Sequence, residues 1–181
     1  ESRLPPDPEI HSMTAQRTFW PLVISLAAIL AVTMGVRQST GLFVSPLNSS
    51  TGLGIVTVSF ALAVGQFVWG AAQPLFGMLA DRVGSFRVIV FGAVLMAAGM
   101  AITPWMDSSF GLILAMGILT AAGAGAGSVS ILIGAAAQRL PADKRSFASG
   151  FINAGGSFGQ FFFAPVTQAL ISAFGWVTAM V

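Results

Sequence analysis

The sequence predicts an all-α membrane protein: a bundle of five transmembrane helices and the start of a sixth, with the N-terminus in the cytoplasm. Of its 181 residues, 55% are hydrophobic and only 8% are charged, whereas a soluble domain carries about 25% charged residues. Apolar segments of the length that a membrane-spanning helix needs, about 20 residues, recur along the chain. Apart from Arg37, Lys and Arg are confined to the N-terminal segment and to alternate connections. The lipid bilayer is therefore the first predicted partner.

The first 17 residues differ in composition from the rest of the chain. Residues 4–9 are rich in proline and polar side chains, a composition that does not support a packed core. No small-residue cleavage site follows an apolar run here, so a signal peptide is not expected. The predicted organisation is a disordered cytoplasmic tail over residues 1–17 and a transmembrane bundle over residues 18–181.

Five apolar segments are each predicted to cross the membrane once, because each is too long for a strand and lacks strict alternation. They are residues 19–44, 54–80, 86–105, 110–138 and 147–174. Residues 175–181 resemble the start of a sixth helix. The chain is therefore expected to be the first part of a longer polypeptide that lacks its C-terminal half, with a complete five-span protein as the alternative.

The distribution of basic residues predicts the orientation of the bundle. Seven basic residues lie in the tail or in the connections that follow the second and fourth spans: Arg3, Arg17, Arg82, Arg87, Arg139, Lys144 and Arg145. The connections on the other side, residues 45–53 and 106–109, contain neither Lys nor Arg. Basic connections remain in the cytoplasm, so the N-terminus is expected inside a multi-pass protein of the plasma (inner) membrane.

Polar side chains form stripes on two of the predicted spans. In the second span, Ser59, Gln66 and Gln73 recur every seven residues, which places them on one helix face. The fifth span carries a similar stripe: Asn153, Ser157, Gln160, Ala164 and Thr167. Polar groups at membrane depth need partners or water, so both stripes are expected to face inward. They serve either as helix-packing contacts or as the lining of a cavity.

Small residues in the fourth span predict close helix packing. Gly117, Ala121 and Gly125 follow a four-residue spacing, as do Gly123 and Gly127. Such spacing lets two helix backbones approach closely. Packing, not ligand binding, is the predicted role of these glycines.

Arg37 is the one charged residue inside a predicted span, and two interpretations of it stand at this point. Ionisable residues within the membrane indicate function, and a guanidinium can hold a carboxylate with two parallel hydrogen bonds. On the other hand, Arg37 lies 18 residues beyond Phe19, or about 27 Å along a helix. At that depth its side chain could instead extend to the outer interface.

The connection between the second and third spans carries a recognisable motif. Residues 77–87 read Gly-Met-Leu-Ala-Asp-Arg-Val-Gly-Ser-Phe-Arg. In pattern and in position the segment resembles the signature loop of the major facilitator superfamily. Ordinary cytoplasmic anchoring would explain the arginines but neither the acidic residue nor the two glycines. The resemblance assigns a role in cytoplasmic gating to Gly77, Asp81, Arg82, Gly84 and Arg87.

The resemblance covers residues 18–181 and implies a bundle of the major facilitator type: twelve helices in two halves that move by alternating access. Residues 35–43 and the stretch from Arg145 to Trp176 are similar to the monocarboxylate transporter and oxalate–formate exchanger branches, although Val177 replaces an arginine common there. Drug–proton antiporters usually carry an arginine four residues before a fourth-helix glycine. Here Leu119 stands four residues before Gly123.

The resulting functional prediction is a secondary transporter of a small organic anion, a monocarboxylate by resemblance, working by proton symport or by anion exchange. Its predicted substrate-binding residues are Arg37, Gln66, Asn153 and Gln160. The alternative is efflux of drugs or other small molecules by the same fold. An enzyme, a metal site and a cofactor are not expected, because the chain has no cysteine and one histidine, His11. A net charge of +2, scattered along the chain, does not indicate a nucleic-acid partner.

Overall fold

The computed structural model describes the backbone of residues 8–181 and the side chains of residues 19–181, and this part of the chain contains helices and no strand. The α-helices are α1 (Pro8–Ser39), α2 (Val44–Thr51), α3 (Ile55–Val83), α4 (Ser85–Ile102), α5 (Ser109–Leu112), α6 (Ala121–Ala126), α7 (Val129–Ala137), α8 (Ala142–Phe174) and α9 (Trp176–Met180). Helical turns of other types join some of them: 3₁₀ turns at Thr40–Phe43 and Thr103–Trp105, and a π-helix at Ile113–Thr120.

Four helical segments are long and apolar enough to cross a membrane: Phe19–Thr51, Ile55–Val83, Ser85–Trp105 and Ser109–Ala137. They coincide with the first four predicted spans. Helix α8 contains the whole predicted fifth span within its 33 residues but is not one of these four segments, because polar side chains such as Gln160 and Gln168 interrupt it. A fifth crossing, a sixth helix and the cytoplasmic N-terminus stay predictions.

The predicted disordered tail meets the described structure at Pro8. Residues 1–7 of that tail lie outside the described residues. From Pro8 onward the backbone is helical and runs into the first span without a break. Disorder in the N-terminal segment therefore stays a prediction for residues 1–7 only.

Helices α1 and α8 make the most extensive contact between two helices in the described part of the chain. Glycines on α8 allow this contact: a Cβ added at Gly155 would lie 2.7 Å from the carbonyl oxygen of Ala27, and Gly159 lies against the backbone of Ala31. Helix α7 joins the pair. The shared apolar core consists of Phe19, Val23, Leu26, Leu30, Met34, Leu132, Ala136, Leu140, Ala148 and Ile152.

The fourth span, from Ser109 to Ala137, packs between α3 and α4 through its small residues. A Cβ added at Gly117 would lie 2.9 Å from the carbonyl oxygen of Ala61 on α3, and Gly125 also faces α3. Gly123 instead faces α4, where its nearest atoms belong to Gly92 and Met96. Close packing by these glycines, predicted from their spacing, is confirmed. Gly127 faces a third neighbour, α1, where its nearest atoms belong to Thr33.

The fourth span is not one regular helix, in contrast to the single segment predicted for residues 110–138. After α5 the chain makes the π-helix, in which the Thr120 hydroxyl donates a 2.9 Å hydrogen bond to the Ala115 carbonyl five residues earlier. The helix then stops after Ala126 and resumes at Val129. Three glycines in the stretch 123–127 lower the helix propensity there, which is consistent with the interruption.

Candidate functional site

A cavity of about 260 Å³ lies between α1, α3, α4 and the fourth span. Five of its lining residues carry polar side chains: Arg37, Gln38, Thr40, Gln66 and Thr120. The apolar part of the lining comes from Leu62, Met96, Met116, Ala121 and Ala124, together with Gly41 and Gly65. No acidic side chain lines it in the described part of the chain. The cavity is therefore positively charged and presents hydrogen-bond donors to whatever enters it.

The Arg37 side chain crosses this space from α1 to α3. Its guanidinium donates a hydrogen bond to Oε1 of Gln66, and its central carbon lies 4.0 Å from the centre of the Trp69 ring. A guanidinium over an indole face gains from cation–π attraction, worth about 0.5–2 kcal/mol. Both partners are uncharged, so they hold the side chain in place without neutralising it.

The direction of this side chain bears on the two interpretations of Arg37. Gln66 lies 11 residues after Ile55, where α3 begins, or about 16 Å along the helix. Arg37 stands near the end of α1, and a side chain that extended past the helix end would not meet the middle of α3. The guanidinium is directed instead toward α3, where it lies half-buried with its partners on that helix.

Trp69 belongs to the site but was not among the residues selected from the sequence. Its indole Nε1 is buried and has no acceptor in the described part of the chain. A buried indole N–H normally has a partner, and indole is a donor only. Trp69 follows Gln66 by three residues, a spacing that places two side chains on one helix face. That spacing is the signal that could have identified it.

Asn153 and Gln160, the other two predicted binding residues, lie apart from this cavity. Both are exposed on α8, and neither is among the lining residues. The face of α8 that packs on α1 is the one with Gly155 and Gly159, which leaves the two amides on another face. The structure thus brings Arg37 and Gln66 together, and it does not bring Asn153 or Gln160 to them.

The five motif residues cluster at the junction of α3 and α4. Gly84 forms this junction with φ +93°, a conformation that favours glycine, and its N–H donates a 2.9 Å hydrogen bond to the Ala80 carbonyl. The side chains of Asp81, Arg82 and Arg87 are all exposed. This tight turn presents one acidic and two basic groups on the surface. A gating role for it stays a prediction.

Comparison with known proteins finds similar transporters that match 86–89% of the chain. The chain is 28% identical over 156 residues to the oxalate:formate antiporter of Oxalobacter formigenes, covering 86% of this chain and 37% of that protein. It is 27% identical over 161 residues to monocarboxylate transporter 13 of Rattus norvegicus, covering 89% of this chain and 37% of the relative. It is 26% identical over 160 residues to human monocarboxylate transporter 7, covering 87% and 30%.

These relatives are much longer than the chain, which spans only 30–37% of their length. The family model of the Major Facilitator Superfamily matches residues 19–181, the whole of the chain beyond its N-terminal segment. The protein is an integral membrane protein that belongs to the Major Facilitator Superfamily.

Proposed function

We propose that the protein is a secondary transporter of a small organic anion, a monocarboxylate or a short dicarboxylate. The observation that carries the proposal is the Arg37 guanidinium, which lies in a cavity among the membrane helices with only neutral partners, Gln66 and Trp69. The family and the transporter names of the relatives favour transport over enzymatic activity. A plasma-membrane location is part of the same proposal.

The electrostatics of the cavity favour an anionic ligand. A charge that is removed from water without a counter-charge is costly, and a ligand carboxylate would supply that counter-charge together with acceptor oxygens. Arg37 has five N–H donors, of which one is used within the described chain by Gln66. The unused donors can hold a carboxylate in the two-bond geometry typical of arginine. A cation would be repelled, so this cavity offers no support for cation efflux.

The coupling of transport has two alternatives, anion exchange and proton symport. Asp81, Asp107 and Asp143 stand at the ends of helices or between them. No other acidic residue occurs from residue 10 onward. A transported proton would therefore travel on the substrate or on a group outside these residues. Exchange of one anion for another needs no such group, and the relative with the highest identity quoted above is named as an antiporter.

Asn153 and Gln160 enter the proposal as hydrogen-bond donors on the exposed face of α8. They would contact the substrate only if further helices of the longer protein enclosed this face together with the Arg37 cavity. Gly77, Asp81, Arg82, Gly84 and Arg87 would control access from the cytoplasmic side. Alternating access would then close one end of the path while the other end opens.

The test is uptake of labelled oxalate, formate, lactate and pyruvate by the full-length protein in proteoliposomes. Vesicles preloaded with unlabelled anion report exchange, and vesicles with an imposed pH gradient report proton symport. We expect saturable uptake of at least one acid and a loss of about 100-fold in Arg37→Ala, since the truncation removes a charge-assisted contact in which each hydrogen bond is worth about 1.5–3 kcal/mol.

Arg139→Ala is the matched control, because it removes the same charge from an exposed position and should retain uptake within about twofold. Uptake by Arg37→Ala at the wild-type rate would rule out the assigned role of this residue. Absence of uptake for all four acids, by protein that is shown to be folded, would remove the anion assignment.

A further inference from the structure

Helices α1 and α8 change from polar to apolar sequence at the same level of the bundle. On α1, polar residues 16–18 are followed by Phe19 and Trp20, and on α8 the polar residues 143–146 are followed by Phe147. The rings of Phe19 and Phe147 lie 6.2 Å apart, so the two changes coincide in space. Such a change marks the boundary between the hydrocarbon and the headgroups of a bilayer, where aromatic side chains concentrate. This end of the two helices is therefore expected at headgroup level.

Four aromatic rings form one cluster at this level: Phe19, Trp20, Phe147 and Phe151. The Trp20 ring packs edge-on at 5.5 Å from Phe19, 6.1 Å from Phe147 and 5.9 Å from Phe151. Phe19 is buried beneath the other three, which are exposed. A contiguous exposed apolar patch marks a surface that meets a membrane or another molecule. The aromatic cluster thus offers its outer side to a neighbour.

Two basic side chains stand beside the aromatic cluster. The ammonium nitrogen of Lys144 lies 5.5 Å from the centre of the Phe19 ring. Nε of Arg145 donates a 3.0 Å hydrogen bond to the carbonyl of Leu140, and Leu140 belongs to the same apolar core as Phe19. Both cations are therefore held next to the rings by uncharged partners.

The charge and the rings follow one another along a single face of α8. Lys144, Phe147 and Phe151 are spaced by three and four residues, which places them on one side of the helix. The side that packs on α1 is a different one and carries Ala148 and Ile152, which belong to the buried core. A molecule lying along the outer face of α8 would meet the ammonium first and the rings next. That order suits a ligand with an anionic head and an apolar chain.

The charge balance of this region favours an anionic head over a zwitterionic one. Asp143 is the one acidic residue from Arg139 to the end of the sequence, and it accompanies three basic residues, Arg139, Lys144 and Arg145. Each basic residue near an anionic lipid surface strengthens binding by about fivefold. A zwitterionic headgroup has no net charge and gains little from this excess.

We propose that Lys144, Arg145 and the aromatic cluster form a binding site for one anionic phospholipid. The phosphate of the lipid lies between the Lys144 ammonium and the Arg145 guanidinium, and an acyl chain lies along the exposed rings. The lipid thereby stabilises the contact between α1 and α8 at this end. Trp20 and Arg37 are 17 residues apart on α1, or about 26 Å, so this site is separate from the Arg37 cavity and does not depend on the transported substrate.

Native mass spectrometry of the full-length protein in detergent tests the site directly. The probes are phosphatidylglycerol and phosphatidylcholine with identical acyl chains. We expect one retained phosphatidylglycerol at a concentration at least about fivefold lower than phosphatidylcholine requires, and a fivefold weaker retention of phosphatidylglycerol alone in Lys144→Ala. Arg139→Ala is the matched control, because Arg139 is exposed and lines a different groove, between α1 and α4. It should stay within about twofold of the wild type.

Asp143→Asn should change the affinity in the opposite direction. The substitution removes the one negative charge beside the site and keeps the shape of the exposed side chain. We expect phosphatidylglycerol to be retained about two- to fivefold more strongly. A gain of affinity cannot arise from misfolding, so this variant decides the question even if Lys144→Ala proves unstable.

Tryptophan emission tests whether the lipid reaches the aromatic cluster. The difference in emission between the wild type and Trp20→Phe isolates the contribution of Trp20. We expect phosphatidylglycerol with brominated acyl chains to quench this contribution at a concentration about fivefold lower than brominated phosphatidylcholine. Absence of quenching by both lipids would show that protein covers the cluster and would overturn the proposal.

Two further results would also overturn it. One is equal retention of the two lipids together with unchanged retention in Lys144→Ala and Asp143→Asn, which would mean that the charges do not select the headgroup. The other is displacement of phosphatidylglycerol by inorganic phosphate at millimolar concentration, which would identify a site for a free anion instead of a lipid.

Discussion

Helix α1 meets its two main neighbours in opposite ways. Against α8 it packs backbone to backbone, because Gly155 and Gly159 remove the side chains that would hold the helices apart. Toward α3 it stands further off, and the Arg37 side chain reaches across to Gln66 and Trp69. Glycine therefore makes one side of α1 a closed interface, while a long cationic side chain on the other side leaves room for a ligand. The same helix contributes to stability on one face and to the candidate site on the other.

The largest expected effect is a loss of folded protein, and it follows from a substitution where the backbones of α1 and α8 are in contact. In Gly159→Leu, the new side chain would collide with the backbone of Ala31, which cannot withdraw without separating α1 from α8. We expect little or no folded protein, since overpacking a rigid contact costs about 1–3 kcal/mol or more. Size-exclusion chromatography of the detergent-solubilised protein measures this. Gly134→Leu, where an added Cβ has open space, is the control. A monodisperse, thermally unchanged Gly159→Leu would contradict the packing description.

A side chain added where α3 lines the Arg37 cavity should instead leave folding intact and reduce anion uptake. Gly65 lines the Arg37 cavity, and its nearest atoms would lie 3.6 Å from an added Cβ. Gly65→Ala should therefore fold normally and occupy part of the cavity. We expect anion uptake to fall by about tenfold with a melting temperature within a few degrees of the wild type. Retained uptake would mean that the substrate does not use this cavity.

A smaller effect on transport is expected from replacing Gln66, which accepts the hydrogen bond of Arg37. Gln66→Leu removes the acceptor that holds the guanidinium but leaves its charge, so the ligand must fix the side chain by itself. We expect the KM for the anion to rise by about fivefold, since a hydrogen bond to a charged group is worth about 1.5–3 kcal/mol and the ligand replaces part of it. Gln73→Leu serves as the control, because Gln73 lies seven residues beyond Gln66 on the same face of α3. Equal KM values for the two variants would argue against a role for Gln66.

The smallest effect is expected from Trp69→Phe. The change keeps an aromatic face under the guanidinium but removes the N–H that has no acceptor here. We expect a stability equal to or slightly above that of the wild type, because a buried donor without a partner is removed. The KM should rise by no more than about threefold, through the weaker cation–π attraction of phenylalanine. A substantial fall in melting temperature would show that the indole N–H is bonded in the fold.

The sequence was sufficient for four of the predicted spans, and it identified two residues that line the candidate cavity; the reasons are local. Length and apolar character identified four spans that the structure also contains, and the motif at residues 77–87 identified the family. Arg37 and Gln66 could be selected because polar groups are rare in apolar helices. Trp69 was missed because an aromatic residue is common in membrane helices, and only its three-residue spacing from Gln66 pointed to it.

The break in the fourth span shows a different limit of sequence reasoning. Gly123, Gly125 and Gly127 predicted close packing correctly, but the same residues also weaken the helix. Which effect dominates at each position depends on the neighbouring helix, and that is not a property of the local sequence. The exposed position of Asn153 and Gln160 has a similar cause, because the face of α8 that α1 covers is determined by glycines elsewhere on the helix.

The position of Trp69 under Arg37 also has an optical consequence. Residues 1–181 contain four tryptophans and no tyrosine, so the near-ultraviolet emission of this region comes from indole alone. Replacing Trp20, Trp105 and Trp176 by phenylalanine would leave a single indole among residues 1–181, and its ring centre lies 4.0 Å from the guanidinium carbon. An anion that draws the guanidinium away would alter the field at that ring and shift its emission. The site would then report its own occupancy without a label.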